Sequence, residues 1–485
     1  MNSSIKLIVC MLFCFAINIS IEGNTSPVFA QEQIEQDKII GIWQGTLKVP
    51  GTELKIAFKI SRAEDGSLKA VMDSPDQGAF DIPTSKVTFQ NDSLKINAKS
   101  IGGMYLGKFD KDSLTIAGLW KQSGMTFPLD LKQTKEEPKI NRPQEPKKPY
   151  PYIEEEVSYQ NKQVGITLAG TLTLPDSVGK FPAVILITGS GAQDRNETIF
   201  GHRPFLVLAD HLTRRGIAVL RVDDRGMGGS TGDFSTATTK DFASDVLAGI
   251  AYLKTRKEID SKKIGLIGHS EGGMIAPMVA AQSKDVAFIV LMATPGVTGE
   301  QILYMQAALI AKADGASDSA IAQNRLTQEK IFAVLKQEKD DSVAVRKLRK
   351  IISDELDQMS EQQKQELGPP ENYINAQIRQ LMSPWFRFFL TYDPKPTLMK
   401  VKCPVLAVGG ELDLQVPAKE NLTAIEQALK AGGNNHVTIK ILPKLNHLFQ
   451  TATTGSPSEY GKIEETISPV ALKCIGNWIL EQVAK

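Results

Sequence analysis

The most reactive pattern in the sequence is a serine flanked by glycines, Gly268-His269-Ser270-Glu271-Gly272. An apolar run at 263–267, typical of a strand, precedes it directly, and a helical pattern begins near Gly273. On such a sharp strand-to-helix turn the serine hydroxyl stands clear of the sheet edge, because the glycines relieve crowding. A neutral serine is a poor nucleophile and needs a base within hydrogen-bond reach, together with a group that orients this base. The pattern therefore predicts attack by Ser270 on a carbonyl carbon.

The sequence offers five histidines as the base for Ser270. Two precede the serine, one is its neighbour and one opens a predicted strand: His202, His211, His269 and His436. Only His447 lies in a loop after the last predicted strand, where it can reach over the carboxyl edge of the sheet. Position in the sequence therefore selects His447.

Two carboxylates follow the preceding predicted strand, in Val408-Gly409-Gly410-Glu411-Leu412-Asp413. We favour Asp413 as the group that orients His447, because it lies further into the loop, where a short side chain can meet the imidazole. Glu411 is the alternative. The resulting order of serine, aspartate and histidine differs from that of trypsin-like and subtilisin-like enzymes.

Acyl transfer also needs hydrogen-bond donors where the carbonyl oxygen becomes negative. The backbone N–H of Glu271, directly after the serine, is one predicted donor. The other is expected from Thr188-Gly189-Ser190-Gly191, which follows a predicted strand at 183–187 and whose glycines allow close approach of the backbone. We favour the N–H of Ser190, with that of Gly191 as the alternative.

Three further residues are candidates for substrate binding. Arg225, in a loop at the same predicted edge, could bind a substrate carboxylate, although stabilisation of its own loop is the simpler interpretation. Trp385 and Phe386 belong to an aromatic stretch that could line an acyl or aryl pocket. Aromatic residues at helical spacing are, however, more often core residues.

The elements that must position these residues follow from the spacing of apolar side chains. Near-continuous apolar runs alternate with helical patterns after about residue 180, which indicates a mostly parallel sheet covered by helices on both faces. Strands are predicted at 155–160, 166–174, 183–187, 217–222, 263–267, 288–292, 405–408 and 437–442. A polar, helical insert at about 295–395 is predicted to form a cap over the site.

The region before this sheet has a different pattern. Apolar and polar residues alternate between turn-forming clusters at 38–133, which predicts a small antiparallel β domain that could close into a barrel. A proline-rich segment at 134–151 is typical of a semi-rigid linker. Residues 152–485 are then the catalytic domain.

Composition limits the classes of protein and their partners. The chain has 485 residues, 42% of them hydrophobic, and a formal net charge of +1, so two folded units are expected and nucleic acid is not an expected partner. Residues 1–30 combine Lys6, an apolar run at 7–17 and Val28-Phe29-Ala30, which predicts a secretory signal peptide. Its apolar run is shorter than the roughly 20 residues that span a bilayer. We therefore expect export to the periplasm or exterior, without stable membrane insertion after cleavage, and Cys403 and Cys474 as the remaining cysteines.

Together these motifs resemble the α/β-hydrolase superfamily from about residue 152 onward, and within it secreted carboxylesterases related to the serine aminopeptidase (S33-like) group. The matching stretches are 188–191 with Asp194-Arg195, Asp224-Arg225-Gly226, 268–273, Tyr392-Asp393-Pro394, 409–417 and Asn446-His447. The resemblance implies the α/β-hydrolase fold with a helical cap, and hydrolysis of esters, usually with short or medium acyl chains, without a cofactor. We predict no metal site. Thr188-Gly189 replaces the His-Gly that many relatives have in the oxyanion turn.

Three functions are consistent with the sequence. The leading hypothesis is a carboxylesterase that forms an acyl-enzyme on Ser270. A peptidase or aminopeptidase could use the same three residues. A third hypothesis, from a different class, is a glycan- or lipid-binding protein with an idle hydrolase fold.

Overall fold

Two units make up the part of the chain that the structure describes. The computed structural model describes residues 36–49, 52–63, 65–75, 79–122, 125–136, 141–360, 364, 367 and 369–484. Of the described residues, one unit contains those of 36–141 and 359–370, and the other contains 142–358 and 371–484. The predicted signal peptide at 1–30 lies outside the described residues.

Within the described residues, the N-terminal unit is a ten-stranded antiparallel sheet. Its strands are β1 (Gly41–Val49), β2 (Thr52–Arg62), β3 (Leu68–Ser74), β4 (Ala79–Pro83), β5 (Lys86–Gln90), β6 (Ser93–Ala98), β7 (Gly103–Asp110), β8 (Thr115–Gln122), β9 (Met125–Pro128) and β10 (Leu131–Thr134). They pair in the order β4-β3-β2-β1-β10-β8-β7-β6-β5, and β9 pairs with β8. Alternate side chains of these strands form a buried core around Trp43, Phe58, Tyr105 and Trp120. The alternation that predicted strands thus marks the buried face of this sheet; closure into a barrel stays a prediction.

The larger unit contains an eight-stranded sheet in the described residues. Its strands are β11 (Ile153–Asn161), β12 (Ile166–Leu174), β13 (Phe181–Ile187), β14 (Ala218–Val222), β15 (Ile259–His269), β16 (Phe288–Met292), β17 (Val405–Gly410) and β18 (Val437–Leu442). The order is β11-β12-β14-β13-β15-β16-β17-β18. Strands β11 and β12 run antiparallel to their neighbours and all later pairs are parallel.

Helices cover both faces of this sheet. The helices described in this unit are α1 (Pro204–Thr213), α2 (Thr239–Leu253), α3 (Glu271–Ala280), α4 (Gly299–Ala313), α5 (Asp318–Gln337), α6 (Asp341–Asp357), α7 (Pro370–Leu381), α8 (Pro384–Thr391), α9 (Lys395–Leu398), α10 (Ala418–Ala431) and α11 (Pro469–Val483). Along β13, Ile185 packs into a core with α2, α3 and α10, whereas Val184 and Leu186 pack into a second core with α1 and α11. A strand buried on both sides has no polar face, which explains its continuous apolar sequence.

Helices α4 to α8 lie between β16 and β17 in the chain, where the sequence predicts the cap. The strand order, the covering helices and this insertion confirm the α/β-hydrolase fold with a helical cap, preceded by an antiparallel β domain. No helix in the described ranges is both long and apolar enough to cross a membrane.

Strand β15 begins four residues earlier than the sequence predicts. Phe181 pairs with Ile259 and Ala183 pairs with Ile264, so the register shifts between these two pairs. The extra residues of β15 include exposed Ser261 and Lys262. The irregular pairing permits polar residues near the start of the strand. A prediction from apolar runs therefore places the start of this strand too late.

The proline-rich segment is fastened to the larger unit at its end. The Arg142 guanidinium donates hydrogen bonds to the backbone oxygens of Phe200, Gly461 and Ile463 at 3.0, 3.0 and 2.5 Å. The Gln144 side chain bonds the backbone of Ile467 in both directions. The end of the proline-rich segment, from Arg142, is therefore bound to the larger unit and is more than a spacer.

Candidate active site

Ser270 lies at the turn between β15 and α3, with a backbone φ of +52° and ψ of −114°. A positive φ is costly for a residue with a side chain and persists only where its surroundings enforce it. Two glycines make this turn possible. A Cβ on Gly268 would lie 2.1 Å from the Gly272 oxygen, and a Cβ on Gly272 would lie 2.1 Å from the Ile187 oxygen. The sequence thus folds into the sharp elbow that presents a half-buried Ser270 at the carboxyl edge of the sheet.

His447 and Asp413 form a buried pair at the same edge. The Nδ1 of His447 is 2.8 Å from Asp413 Oδ2, and both residues are less than 5% exposed. Asp413 Oδ1 accepts the backbone N–H groups of Gln415 and Val416 at 2.9 and 2.8 Å. With Nδ1 donating to this anchored carboxylate, Nε2 of a neutral His447 has a free lone pair that can accept a proton.

The structure brings the His447 loop against the serine elbow. The ring of His269, the neighbour of Ser270, lies 4.9 Å from the His447 ring, and its Nε2 is 3.0 Å from the His447 backbone oxygen. In the described part of the chain, no hydrogen bond joins the Ser270 hydroxyl to the His447 ring. Catalytic hydrogen bonds often tighten only with substrate bound, so this geometry remains compatible with a base at His447.

The other carboxylate in the β17 loop has a different role. Glu411 Oε2 accepts the backbone N–H of Lys444 at 2.9 Å and so fastens the turn before His447. The structure therefore places Asp413, rather than Glu411, on the imidazole.

The predicted oxyanion loop lies beside Ser270. A Cβ on Gly189 would be 3.4 Å from Ser270 Cβ, so the backbone of this loop approaches the serine closely. The N–H of Gly189 itself is used by Glu197, at 2.7 Å. In the described residues, the N–H groups of Glu271 and Gly191 form no hydrogen bond within the protein, which is what an oxyanion donor requires.

Half-buried Asp224 holds the two ends of this loop together. Its Oδ1 accepts the Thr188 hydroxyl at 2.8 Å and its Oδ2 accepts the Gln193 N–H at 2.9 Å. Burial raises the pKa of Asp224 well above its usual range, despite these two donors. Thr188 thus uses its hydroxyl to hold the loop.

The side chain of Glu271 connects the elbow to the cap. Its Oε1 accepts the Thr239 hydroxyl of α2 at 2.6 Å and the Trp385 indole N–H of α8 at 2.8 Å. Burial raises the pKa of Glu271 to about 7, although both donors favour the ionised carboxylate. The sequence predicts Glu271 as an oxyanion donor through its backbone N–H. Its side chain therefore has a second role, which is to hold the cap.

An apolar cluster lies between the cap, helix α3 and the loop of Asp413. Its buried members are Met274, Ile302, Phe389 and Val416, with Trp385 among the half-buried residues packed against them. The Trp385 ring stacks on Phe389, with centroids 5.3 Å apart. This cluster packs the cap against α3 and the loop of Asp413.

The remaining candidates for substrate binding lie elsewhere. Arg225 donates from Nε to Asp245 Oδ2 at 2.8 Å and from a terminal nitrogen to the Asp241 oxygen at 3.0 Å. Its guanidinium is thereby committed to α2. Phe386 is buried in the cap, with its ring 6.2 Å from that of Phe332. The structure brings neither residue to the Ser270 hydroxyl.

Sequence reasoning missed the hydrogen-bond network behind the elbow. It rejected His269 as the base and assigned it no other role, and it did not single out Glu197, which contacts both His269 and Gly189. The polar residue inside the serine motif was a signal, because a buried histidine needs partners for its ring nitrogens. In the part of the chain described, no group of three or more His, Cys, Asp or Glu side chains is arranged to hold a metal ion.

Comparison with known proteins gives a family match. The model of the X-Pro dipeptidyl-peptidase (S15) family matches residues 138–445. The esterase EstD of Thermotoga maritima is 25% identical over 363 residues, which cover 73% of this chain and 74% of that protein. These matches confirm the resemblance to α/β-hydrolase esterases, but they do not confirm the narrower link to the serine aminopeptidase group.

Solved structures of esterases are more distant. The Pyrococcus furiosus esterase Pf2001 has 18% identity and a TM-score of 0.42, and the alignment covers 71% of this chain and 97% of that one. Est1E of Butyrivibrio proteoclasticus, solved with ferulic acid bound, has 18% identity and a TM-score of 0.39, with 68% and 100% covered. The strand order described above, and not these distant similarities, defines the fold.

Proposed function

This chain belongs to the X-Pro dipeptidyl-peptidase (S15) family, and we propose that it is a serine hydrolase that cleaves small carboxylic esters through an acyl-enzyme on Ser270. The observation that carries the proposal is the buried pair of His447 Nδ1 and Asp413 Oδ2, 2.8 Å apart, beside the elbow of Ser270. It leaves a basic ring nitrogen at the edge of the sheet where the hydroxyl is presented.

In the acylation step, the Ser270 oxygen attacks the ester carbonyl carbon while His447 Nε2 takes the hydroxyl proton. Asp413 stays ionised and stabilises the imidazolium that forms. The tetrahedral intermediate then expels the alcohol oxygen, which receives the proton from His447. An acyl-enzyme on Ser270 and a free alcohol result.

The negative oxygen of the intermediate needs donors already in place. The Glu271 N–H at the start of α3 is one, and it also lies at the positive end of the helix dipole. The second is the N–H of Ser190 or Gly191 in the loop that Asp224 clamps. Gly189 is not a candidate, because its N–H is bound to Glu197.

Deacylation repeats these steps with water as the nucleophile. His447 takes a proton from water, the resulting hydroxide attacks the acyl carbonyl carbon, and the proton returns to the Ser270 oxygen as the acid leaves. No cofactor is needed to balance these steps.

The apolar residues packed between the cap and the elements of the site support esters with an apolar acyl or aryl group as substrates. They are Met274 on α3, Val416 after Asp413, and Phe389 with Trp385 on the cap helix α8. Apolar side chains with a few fixed polar groups are typical of small-molecule sites. The relative EstD is an esterase by name, which supports ester substrates in general.

The S15 family match favours a second candidate, cleavage of a peptide bond with the same three residues. Such an enzyme must also bind a charged peptide terminus. Arg225, the cation considered at this edge, is paired with Asp245, so we rank the peptidase second.

The experiment compares p-nitrophenyl esters of increasing acyl length with aminoacyl and X-Pro p-nitroanilides, using wild type and Ser270→Ala. We expect ester hydrolysis at least about 100-fold above anilide hydrolysis in kcat/KM, and loss of both in Ser270→Ala. Faster anilide hydrolysis would establish the peptidase. Equal rates for wild type and Ser270→Ala would refute catalysis by Ser270, and tight glycan or lipid binding without turnover would indicate a binding protein.

We also propose that the protein is exported after removal of residues 1–30. The order of Lys6, an apolar run and Val28-Phe29-Ala30 supports this. N-terminal sequencing of the mature protein from the periplasm or medium is expected to begin at Gln31. Recovery of an uncleaved chain from the cytoplasm would contradict export.

A further inference from the structure

We propose that the buried pair of His269 and Glu197 positions two loops of the site, the loop of the oxyanion donors and the loop of His447, relative to Ser270. The inference builds on the proposed function, because it assigns positioning residues to the same reaction. Neither side chain contacts the reacting atoms in the mechanism above.

Three hydrogen bonds connect the pair to both loops. Glu197 Oε1 accepts the Gly189 N–H at 2.7 Å and lies 2.9 Å from His269 Nδ1. His269 Nε2 lies 3.0 Å from the His447 backbone oxygen. A continuous chain thus runs from the oxyanion loop through Glu197 and His269 to the backbone of His447.

The bonding pattern fixes the protons of this chain. The His447 backbone oxygen can only accept, so His269 Nε2 must carry a hydrogen. As a carboxylate, Glu197 can only accept as well, and His269 Nδ1 then also carries a hydrogen. Two N–H groups on one ring define an imidazolium, and the pair is therefore a buried ion pair.

The surroundings are consistent with this charge. Burial by itself disfavours the imidazolium, but the charge and hydrogen bond of Glu197 and the more distant charge of Asp413 outweigh it and raise the pKa of His269. The other groups that face the ring are the His447 imidazole at 4.9 Å and Phe449 at 6.4 Å. Glu197 is thus the counter-ion in direct contact.

His202 provides an internal contrast. It is also a buried histidine bonded to a backbone oxygen, that of Tyr460 at 2.9 Å, and its Nδ1 lies 2.9 Å from the Thr466 hydroxyl. It has no carboxylate partner, and burial lowers the pKa of His202 to about 4. Two buried histidines in one protein are therefore expected in opposite charge states at neutral pH.

The position of the pair explains why these bonds matter for rate. Gly189 leads into the oxyanion loop, and His269 is joined to Ser270 by a peptide bond. Because oxyanion donors act only when aimed at the developing charge, a small shift of the loop is costly. The hydrogen-bonded ion pair holds both loops in fixed positions relative to Ser270, because His269 is part of the elbow.

The first test substitutes Glu197→Gln. The amide oxygen can still accept the Gly189 N–H, but the neutral amide cannot balance an imidazolium, so at least one of the three hydrogen bonds is lost. We expect kcat for p-nitrophenyl esters to fall about 100-fold with KM nearly unchanged, as for a lost or misplaced oxyanion donor. Glu197→Asp, which keeps the charge, is expected to recover part of the loss.

His211→Gln is the control, because it replaces a half-buried histidine of α1 whose ring lies against Arg215 and α11. We expect a lower melting temperature but kcat within about threefold of wild type, since the loss affects stability rather than the transition state. Unchanged kcat in Glu197→Gln would overturn the proposal. An equal fall in kcat for His211→Gln would also overturn it, because the effect would then be one of general stability.

A spectroscopic measurement on the wild-type protein keeps the proposal falsifiable if Glu197→Gln does not fold. In a chain labelled with ¹⁵N-histidine, both ring nitrogens of His269 are expected to stay protonated at pH 8, while His202 is neutral at pH 6. Assignment uses the signals lost in His269→Gln and His202→Gln. A neutral His269 ring at pH 8 would overturn the ion pair.

This measurement also separates the inference from the proposed function. The protonation of His269 is read without substrate, so it can be confirmed or refuted even if Ser270→Ala proves as active as wild type. Conversely, a neutral His269 in an enzyme that needs Ser270 would refute only the positioning role.

Discussion

At the scale of single residues, the position of protons decides what Ser270 can do. His447 donates from Nδ1 to an Asp413 carboxylate that is itself held by two backbone N–H groups. This arrangement fixes the tautomer whose Nε2 is basic. His269 has an acceptor at each ring nitrogen, Glu197 at Nδ1 and the His447 oxygen at Nε2. Both nitrogens must then donate, and the ring is a cation. Two neighbouring histidines thus have different tasks because their partners differ.

Substitution of Asp413→Asn tests the fixed tautomer. The amide can present its NH₂ group to His447 Nδ1, which favours the tautomer with the proton on the wrong nitrogen, and kcat is expected to fall about 10³- to 10⁴-fold. Glu411→Gln is the control, since the Glu411 side chain accepts the Lys444 N–H in the neighbouring turn rather than the imidazole. Ester turnover measured with saturating substrate distinguishes the two, and an equal loss in both variants would contradict the assignment of Asp413.

Glu271 is the second residue whose protonation has a consequence. Its buried carboxyl has a pKa of about 7 in the folded protein, against an ordinary value of 4.5. The folded state therefore holds a proton between these pH values that the unfolded chain releases. Its contribution to stability is complete below about pH 4.5 and is lost as the pH rises through about 7.

We expect Glu271→Gln to remove this pH dependence. A pKa difference of this size corresponds to a change in the free energy of unfolding on the order of 3 kcal/mol. The variant gains stability relative to wild type as the pH rises from 5 to 8, because the amide has no charge to bury. Thermal unfolding of both proteins at a series of pH values measures the difference, and parallel curves would show that Glu271 does not titrate in this range.

At the scale of elements, the elbow between β15 and α3 depends on close approach of backbones. Gly272 packs against the carbonyl of Ile187 at the end of β13, and Gly268 packs against Gly272. Larger residues would force the helix away from the sheet. The elbow therefore fixes where the Ser270 oxygen and the Glu271 N–H lie relative to the oxyanion loop.

Gly272→Ala is expected to destabilise the protein by about 2 kcal/mol, because its Cβ would clash with backbone atoms that cannot rotate away. Activity in the folded fraction is expected to fall as well. Gly433→Ala is the control, because a Cβ there meets no atom within 4 Å and only the positive φ of 82° is strained. Urea unfolding and ester assays should show a kcat loss for Gly272→Ala alone, and equal kcat in the two variants would contradict a packed elbow.

The elements themselves were largely predictable because burial on both faces leaves a strong sequence signal. The predicted bounds of β16 and β18 agree with the structure, and the cap was recognisable from polar helical sequence between two strands. The irregular start of β15 was not, because its polar residues follow a register shift. Contacts such as Glu197 with His269 join distant segments, and no local pattern encodes them.

At the scale of the whole molecule, the site depends on segments that are remote in the chain. The loop that follows His447 is held by Arg142, which lies 319 residues before Gly461 in the chain. Arg142 binds the backbone oxygens of Gly461 and Ile463. His202 and Gln450 contact the same loop through the backbone oxygen of Tyr460. The proline-rich segment was predicted as a spacer, and composition alone could not reveal this anchoring.

Arg142→Ala is expected to leave several backbone oxygens without their donor and to lower the stability of the larger unit by about 2 kcal/mol. Arg142→Lys should lose less, because one ammonium can retain part of these bonds but cannot match the guanidinium fork. Differential scanning calorimetry of the three proteins measures this order. Identical unfolding of wild type and Arg142→Ala would show that the segment is only a spacer.

The central claim is that the Ser270 hydroxyl is the nucleophile and that His447 activates it. Its most direct test is labelling with a fluorophosphonate followed by mass mapping of the modified peptide. We predict one adduct per chain on Ser270 in wild type, none in Ser270→Ala, and labelling at least about 100-fold slower in His447→Ala. An adduct on a different residue, or labelling of Ser270→Ala at the wild-type rate, would contradict the account.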